Sequence, residues 1–383
     1  MPNTLTNLIP DLYAGLDTVS REMVGFVGAV NRDSTTDGAA VNQAVKVPIV
    51  GAITAGDITA GAAAPDDGDM APDNIDVKIT KSRYAPVRWT GEEQLSVSPT
   101  GLYNKVQADR FAQAMRVLVN EMEGDLAGLY AAGASRAYGT AGTPPFGTAN
   151  DFSDLAFARE ILESNGSPLT DLQCVLGTTA MANLRAKQSG LFHVNEAGTE
   201  RMLRDGIVDR VQGFALRSSG QVKSHTKGTG TAYTSDTAGY AIGATSITLI
   251  TGSGTVVAGD TVTFAGDTNK YIVKTGVAVP GAIVLQEPGL KVAIPASATA
   301  LTVGGNYTAN MAFDRNAIVL ATRAPAMPEE GDMADDVMTI QDPISGLAFQ
   351  VAMYKQYKRV KYEVGIAWGV KEIAPRHSSI ILG

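Results

Sequence analysis

Two acidic loops carry the residues of this sequence best placed to hold a charged partner. Pro65 to Ala71 reads PDDGDMA and Pro328 to Ala334 reads PEEGDMA, a seven-residue match once Asp and Glu are pooled. Each sets three carboxylates around a glycine: Asp66, Asp67 and Asp69 in the first, Glu329, Glu330 and Asp332 in the second. A calcium loop supplies oxygens at alternating positions and ends on a bidentate Glu. Neither loop does so, and no metal and no cofactor are expected. Two readings stay open. One is a solvated acidic turn. The other is pairing with cations of a neighbouring copy, for which Arg83, Arg88 and Arg323 are the candidates, in ion pairs that salt would weaken.

The remaining chemistry-bearing residues do not assemble into a catalytic pattern. His193, His225 and His377 lie far apart, and none sits in an HExxH or nucleophile-elbow context. Gly228-Thr229-Gly230 lacks the strand before and helix after that a dinucleotide site needs, and there is no GxxxxGK[ST] phosphate loop. The one cysteine, Cys174, lies in the apolar run LQCVLG, which excludes an internal disulfide and reads as a small buried hydrophobe. The chain is expected not to be an enzyme.

The elements that must position these loops are organised around one stretch, Ser98 to Ala132. Met115, Leu118, Val119, Met122, Leu126 and Leu129 recur at helical spacing, while Arg110, Arg116, Asn120 and Glu123 populate other sides. Ser98-Pro99 is a start signal, and the glycines from Gly133 to Gly142, with Pro144 and Pro145, are the stop. Such a helix would span roughly 45 Å, enough to cross a domain. Gly124 and Gly128 inside it mark a bend or a close backbone approach.

Length predicts two or three domains in 383 residues. A net charge of -8 argues against a sequence-reading DNA binder. The N-terminus lacks the basic and continuous apolar regions of a secretion signal, and no window approaches a membrane span. In chain order, residues 1–44 read as an arm: a short amphipathic helix from about Leu5 to Val27, then a polar Gly/Thr/Asp stretch. Val45 to Ile49 and Ile75 to Trp89 are strands flanking a tip, Gly51 to Asn74, with almost nothing to bury.

After the long helix, residues 151–227 alternate helix and strand. Helices are expected at Asp154 to Ser164, Thr178 to Lys187 and Glu196 to Arg204. Strands are expected at Leu172 to Leu176 and around Val208, Val211, Phe214 and Leu216. From Gly228 to Gly304 the helical period disappears and five short strands, near 246–250, 261–265, 271–275, 282–286 and 300–303, predict a small β-barrel or sandwich inserted in another domain. Strands return at 317–322, 337–340 and 347–354. In the closing strand Val360, Tyr362, Val364, Ile366, Trp368 and Val370 alternate with Lys361, Glu363 and Gly365, which predicts one buried face.

Taken in that order, an arm, a glycine-tipped hairpin, a long helix, an α/β region and a closing strand, the chain resembles the major capsid protein of tailed bacteriophages, an α+β fold of the Hong Kong 97 type. The end Val360 to Pro375, VKYEVGIAWGVKEIAP, with its Gly369-Val370 step, looks like that family's terminal signature. Leu203 to Ser218, LRDGIVDRVQGFALRS, is similar to its axial-domain strand. The segment 228–304 lies where the short-tailed phage branch carries an inserted β-barrel.

The resemblance implies an N-terminal arm (1–44), an extended loop (45–97), a spine helix with peripheral domain (98–150), an axial domain (151–227), the inserted domain (228–304) and return strands (305–383). It implies self-assembly into hexamers and pentamers of an icosahedral head, through a precursor shell that expands, around double-stranded DNA bound without sequence preference. Implied partners are a separate scaffolding protein, since the arm is too short to hold a scaffold of its own, a portal protein and, in some relatives, a decoration protein. Assembly would occur in the bacterial host cytoplasm, away from membranes. No Lys, Asn and Glu trio for covalent crosslinking can be placed. The alternatives are an encapsulin-like compartment shell and a surface glycan-binding or adhesion protein carrying the β-module.

Overall fold

The computed structural model describes residues 24–49, 73–97, 103–187 and 210–383, apart from 279, 330, 343 and 344, together with positions 55, 57 and 58. The expected helix from Leu5 lies largely outside these residues. So do the acidic tip 65–71, the expected helix 196–204 and the helix start at Ser98.

The chain enters through a single turn, α1 (Phe26–Ala29), and continues as strand β1 (Asn31–Ala39). The polar stretch expected to belong to an arm is thus part of a sheet, pairing in parallel with residues 319–325. Its small polar side chains hid it from a hydrophobic-alternation reading, because backbone hydrogen bonds, not apolar burial, hold most of it. β2 (Ala44–Ile49) and β3 (Asp73–Lys78) pair antiparallel as a separate two-stranded ribbon, as the hairpin reading requires. The run expected as one strand to Trp89 breaks at Ile79-Thr80, and β4 (Lys81–Thr90) joins a different sheet. A short helix, α2 (Gly91–Val97), follows, opened by a reciprocal cap in which Glu93 accepts from Thr90 N at 2.8 Å and donates its own N–H to Thr90 Oγ1.

The long helix α3 (Tyr103–Gly128) ends at Gly128, and one further turn, α4 (Tyr130–Gly133), completes the expected span. Gly128 is therefore a helix end. Then follow β5 (Arg136–Tyr138), α5 (Ser153–Ser164), β6 (Leu172–Leu176), α6 (Thr178–Lys187), β7 (Arg210–Val211), β8 (Phe214–Ser218) and β9 (Ser224–His225). Asn165 caps α5 and Gly166 takes the left-handed conformation beyond it, at φ 73°.

Six strands then form a closed ring: β10 (Thr231–Ser235), β11 (Ser246–Ser253), β12 (Thr261–Phe264), β13 (Lys270–Thr275), β14 (Ala282–Leu285) and β15 (Ala300–Val303). Their order is β12-β15-β10-β11-β14-β13, and β13 pairs back onto β12. Sequence reading recovered five of these strands and missed β10. The ring encloses its own core, including Tyr233, Leu249, Val262, Phe264, Tyr271 and Leu285. β13 also pairs with β5, joining the barrel to a sheet that continues β5-β21-β16-β6-β8-β7. In that sheet β16 is Tyr307–Asp314 and the last strand, β21, is Ser378–Leu382.

The other large sheet has the order β1-β17-β20-β19-β18, with β4 on β20; its strands are β17 (Ile318–Pro325), β18 (Asp336–Gln341), β19 (Ala348–Gln356) and β20 (Arg359–Glu372). The helix α3 lies on this sheet. Its stripe Met115, Leu118, Val119, Met122 and Leu126 packs with Trp89, Val364, Ile366, Trp368 and Phe349 in the largest core cluster. Each such side chain removed from water contributes about 1.5–3 kcal/mol as an upper estimate.

The expectation that β20 buries one face is corrected. Residues 364–369 are buried on both. The second face is covered where Val77 and Ile79 cross it, joining Ala367, Val319 and Ala321 in a small cluster of their own. A Cβ on Gly369 would stand 2.0 Å from the Lys78 carbonyl oxygen, so only glycine lets that crossing occur.

Candidate assembly surfaces

The nominated cations divide into used and free. Arg323, on β17, is 11% exposed at its side chain and donates to Asp33 Oδ2 at 2.8 Å, to the Asp33 carbonyl at 2.9 Å and to its neighbour Thr322. It fastens β1 to β17 within the chain, and as an interface cation it is spent. Arg83 lies 3.4 Å from Glu121 on α3, where Lys81 reaches both Glu121 and Asp125 at 2.9 Å. Burial works against the Lys81 charge, yet hydrogen bonds to Asp125 and Glu121 outweigh it and raise its pKa. Trp368 Nε1 donates to the other oxygen of Asp125 at 2.9 Å, so this polar lace sews β4 and β20 to the helix. Arg88 is exposed and has no carboxylate partner among the described residues.

On the acidic side, Asp66, Asp67, Asp69 and Glu330 lie outside the described residues, and Glu329 is exposed beside a turn. Asp332 is exposed and accepts from the Tyr354 hydroxyl, which together with burial holds the phenol up at about 12. The structure therefore does not bring the two acidic loops into one described site. Among the described residues no group of three His, Cys, Asp or Glu could hold a metal ion. No described helix is long and apolar enough to cross a membrane.

Beside the surface are buried polar joints that the sequence reading passed over. Glu123, expected on a polar side of α3, is fully buried and accepts from Phe26 N at 3.0 Å, Val27 N at 2.7 Å and Ser219 Oγ at 2.9 Å. Its pKa is raised by desolvation, against which these bonds act. The signal was present: Glu123 is four residues past Val119 and three before Leu126, on the apolar stripe itself.

A second joint links α4 to the barrel. His225 Nε2 lies 2.9 Å from Asp260 Oδ1, and Tyr130 Oη lies 3.0 Å from His225 Nδ1. A carboxylate can only accept, so the ring donates from Nε2 to Asp260, and Nδ1 is left to share a hydrogen bond with the Tyr130 hydroxyl. Asp260 accepts besides from Gly228 N and Val257 N. A third joint is Arg136, buried, which donates to Asn269 of the barrel at 2.7 Å and to Ser164 and Asn165 at the end of α5. It meets the carbonyl end of that helix, where a cation is favoured. Burial lowers its pKa.

Against this geometry, residues 93–276, just under half of the chain, match the sequence profile of the P22 coat protein, gene protein 5. No curated protein matches the sequence. Among solved structures, a chain of the capsid of cyanophage P-SCSP1u aligns over all of this chain and 92% of its own, with a TM-score of 0.51 at 11% identity. A chain of Mycobacterium phage Che8 aligns over all of this chain and 96% of its own, with a TM-score of 0.47 at 13% identity. The capsid of Ralstonia phage GP4 gives 0.44 at 10% identity, over 95% of this chain and 92% of the other.

Proposed function

We infer that this chain is the major capsid protein of a tailed bacteriophage, a relative of the P22 coat protein that builds the icosahedral head and performs no catalysis. The observation that carries this is the profile match over 93–276, which takes in the long helix, the β6 and β8 strands and most of the barrel. At the level of fold, the cyanophage capsid chain supports the same reading across the whole length.

Within that reading the parts take the following roles. The β2–β3 ribbon and the residues between its strands are the extended loop, and α3 is the spine of the peripheral domain. The sheet around β6, β8, β16 and β21 is the axial domain, and the barrel at 228–304 is an insertion in it. A structure of this kind suits an insertion, because β10 and β15, its first and last strands, pair side by side and bring its two ends together. Copies form hexamers and pentamers in a precursor shell that later expands. A separate scaffolding protein, a portal and, on some heads, a decoration protein are the further partners, with assembly in the host cytoplasm. The segment 51–74 has little to bury by itself, which fits a loop that finds its contacts on a neighbour. An encapsulin-like compartment or a surface adhesin has no observation in its favour here.

The test is size-exclusion chromatography followed by negative-stain microscopy of the full chain, alone and with its scaffolding partner. Closed shells or capsomer rings are expected. A stable monomer under both conditions would overturn the assignment.

A further inference from the structure

Glu372, the last residue of β20, ends in a carboxyl group whose two oxygens are buried without a hydrogen-bond partner. The nearby Ser378 hydroxyl, at the start of β21, is likewise buried and unsatisfied. An ionised carboxylate in such a place is strongly disfavoured, whereas a neutral carboxyl is tolerated. The group stands against Gly133, the last residue of α4, where an added Cβ would fall on the carboxyl itself. It therefore lies at the carbonyl end of a helical turn, a second reason for the site to reject negative charge.

Gly133 belongs to the segment that docks the barrel. Before it, Tyr130 shares a hydrogen bond with His225 at 3.0 Å. After it, Ser135 donates from N and Oγ to the Ser378 carbonyl, at 2.9 and 2.8 Å, and its own carbonyl accepts from Ile272 N of β13 at 3.4 Å. Arg136 follows, with its bond to Asn269 at 2.7 Å and the pairing of β5 with β13. A displacement of Gly133 pulls on all of these contacts.

We propose that Glu372 is a proton-operated latch for the barrel: neutral, it lets Gly133 seat on β20 and keeps residues 130–138 docked; ionised, it drives Gly133 away and loosens the Tyr130–His225, Ser135–Ile272 and Arg136–Asn269 contacts together. The latch works within one chain and does not depend on assembly. Burial raises the docked carboxyl to about 8, against the ordinary 4.5 once it reaches water. Opening is therefore favoured progressively as pH rises above the lower value and levels off above the higher one. The other titratable groups of the packed elements behave differently. On α4 the Tyr130 phenol is pushed up by burial and by Asp260. On the turn Pro375–His377, His377 is held down by burial and Arg376, and it faces Asp314. Lys371 reaches the Asp76 carbonyl at 3.0 Å, Arg136 on β5 is committed to Asn269 and the end of α5, and β17 sets Ile318 opposite Glu372. A histidine gains charge as pH falls, the opposite sense, so neither His377 nor His225 reproduces the effect.

The experiment is hydrogen exchange of the full chain, read as protection factors at single amides so that the intrinsic pH dependence of exchange cancels. In the wild type, protection at Ser135 and Ile272 should fall by up to about tenfold per pH unit between about pH 5.5 and 7.5. Leu249 and Leu285, bonded within the barrel, should keep theirs. Glu372→Gln, neutral at every pH, should abolish the slope. Because a buried amide can itself disturb the seam, Gly133→Ala serves as a second variant that displaces the carboxyl without charging it. It should show the loosened Ser135 and Ile272 already at about pH 5.5, with the barrel amides unchanged. An equal slope in Glu372→Gln, a parallel fall at Leu249 and Leu285 in the wild type, or wild-type protection in Gly133→Ala would each overturn the latch.

Discussion

Single buried carboxylates do much to set how this subunit responds to its surroundings. Glu123 holds the entry of the chain to the long helix through the amides of Phe26 and Val27. In Glu123→Gln one acceptor oxygen becomes a donor facing N–H groups, a loss of about 1.5–3 kcal/mol for bonds to a charged group. The amide protons of Phe26 and Val27 should then exchange faster with solvent while those of β6 keep their protection, measured residue by residue. Glu372 behaves differently. It ends β20, and both its carboxylate oxygens are buried with no hydrogen-bond partner. Burial raises its pKa to about 8, with the nearby Ser378 hydroxyl, outside hydrogen-bonding geometry, offsetting this only in part. The folded state thus binds this proton more tightly than the unfolded chain, whose carboxyl titrates near 4.5. The stability it supports is complete below the unfolded value and is lost as pH rises through about 8. The slope is at most ~1.4 kcal/mol per pH unit. Thermal midpoints followed from pH 5 to 9 should fall in the wild type, and Glu372→Gln should flatten that fall; equal slopes in the two proteins would refute the assignment.

At the scale of elements, glycines report which segments touch. Gly369 lies under the Lys78 carbonyl, where an added Cβ would come to 2.0 Å, while a Cβ on Gly124 would meet its nearest neighbour, Lys223 Nζ, at an ordinary 3.6 Å. Gly369→Ala should therefore unseat the ribbon crossing at a cost of roughly 1–3 kcal/mol. Gly124→Ala should stabilise α3 by about 0.5–1 kcal/mol. Differential scanning of the two variants reads both signs at once. The contrast also shows what the sequence could reveal. The stripe of α3, the hairpin ribbon, the α5 and α6 helices and five barrel strands were legible, because each repeats an apolar period or ends at glycine, proline or asparagine. β1 was not, since Asn31 to Ala39 carries polar and small residues and is held by pairing with β17. The double burial of β20 was hidden for a related reason: Ala367 and Gly369 look like an open face until Val77, Lys78 and Ile79 are found lying across them, and Gly365 until Pro325 is found against it. Of the candidate site, the cations could be listed from sequence but not sorted. Only the fold separates Arg323, bound to Asp33, from Arg88, which meets no carboxylate among the described residues.

For the whole molecule, the barrel poses the question of what is separable in this chain. Its strand ring closes on itself and encloses an apolar core, yet polar joints tie it outward, among them β13 on β5, Arg136 to Asn269, the Tyr130–His225–Asp260 relay and the Tyr307 hydroxyl on the Gly259 carbonyl. A ring of about this size buries only about 60% of its unfolded surface, so its independent stability is at best a few kcal/mol. If core closure dominates, a peptide of residues 228–304 folds alone and melts cooperatively, and His225→Leu in the full chain leaves the barrel's own melting in place while loosening it from α4. If docking dominates, the excised peptide shows no cooperative transition and His225→Leu unfolds the barrel first. The closed order β12-β15-β10-β11-β14-β13 and the absence of any open strand edge within it favour the first outcome. Circular dichroism melts of the excised peptide decide it. A cooperative transition would mean that the barrel is a separate folding unit, attached to the rest of the chain by buried polar contacts. Deleting 228–304 should then leave the remaining sheets folded, and the effect on shells would report what the barrel contributes to assembly alone.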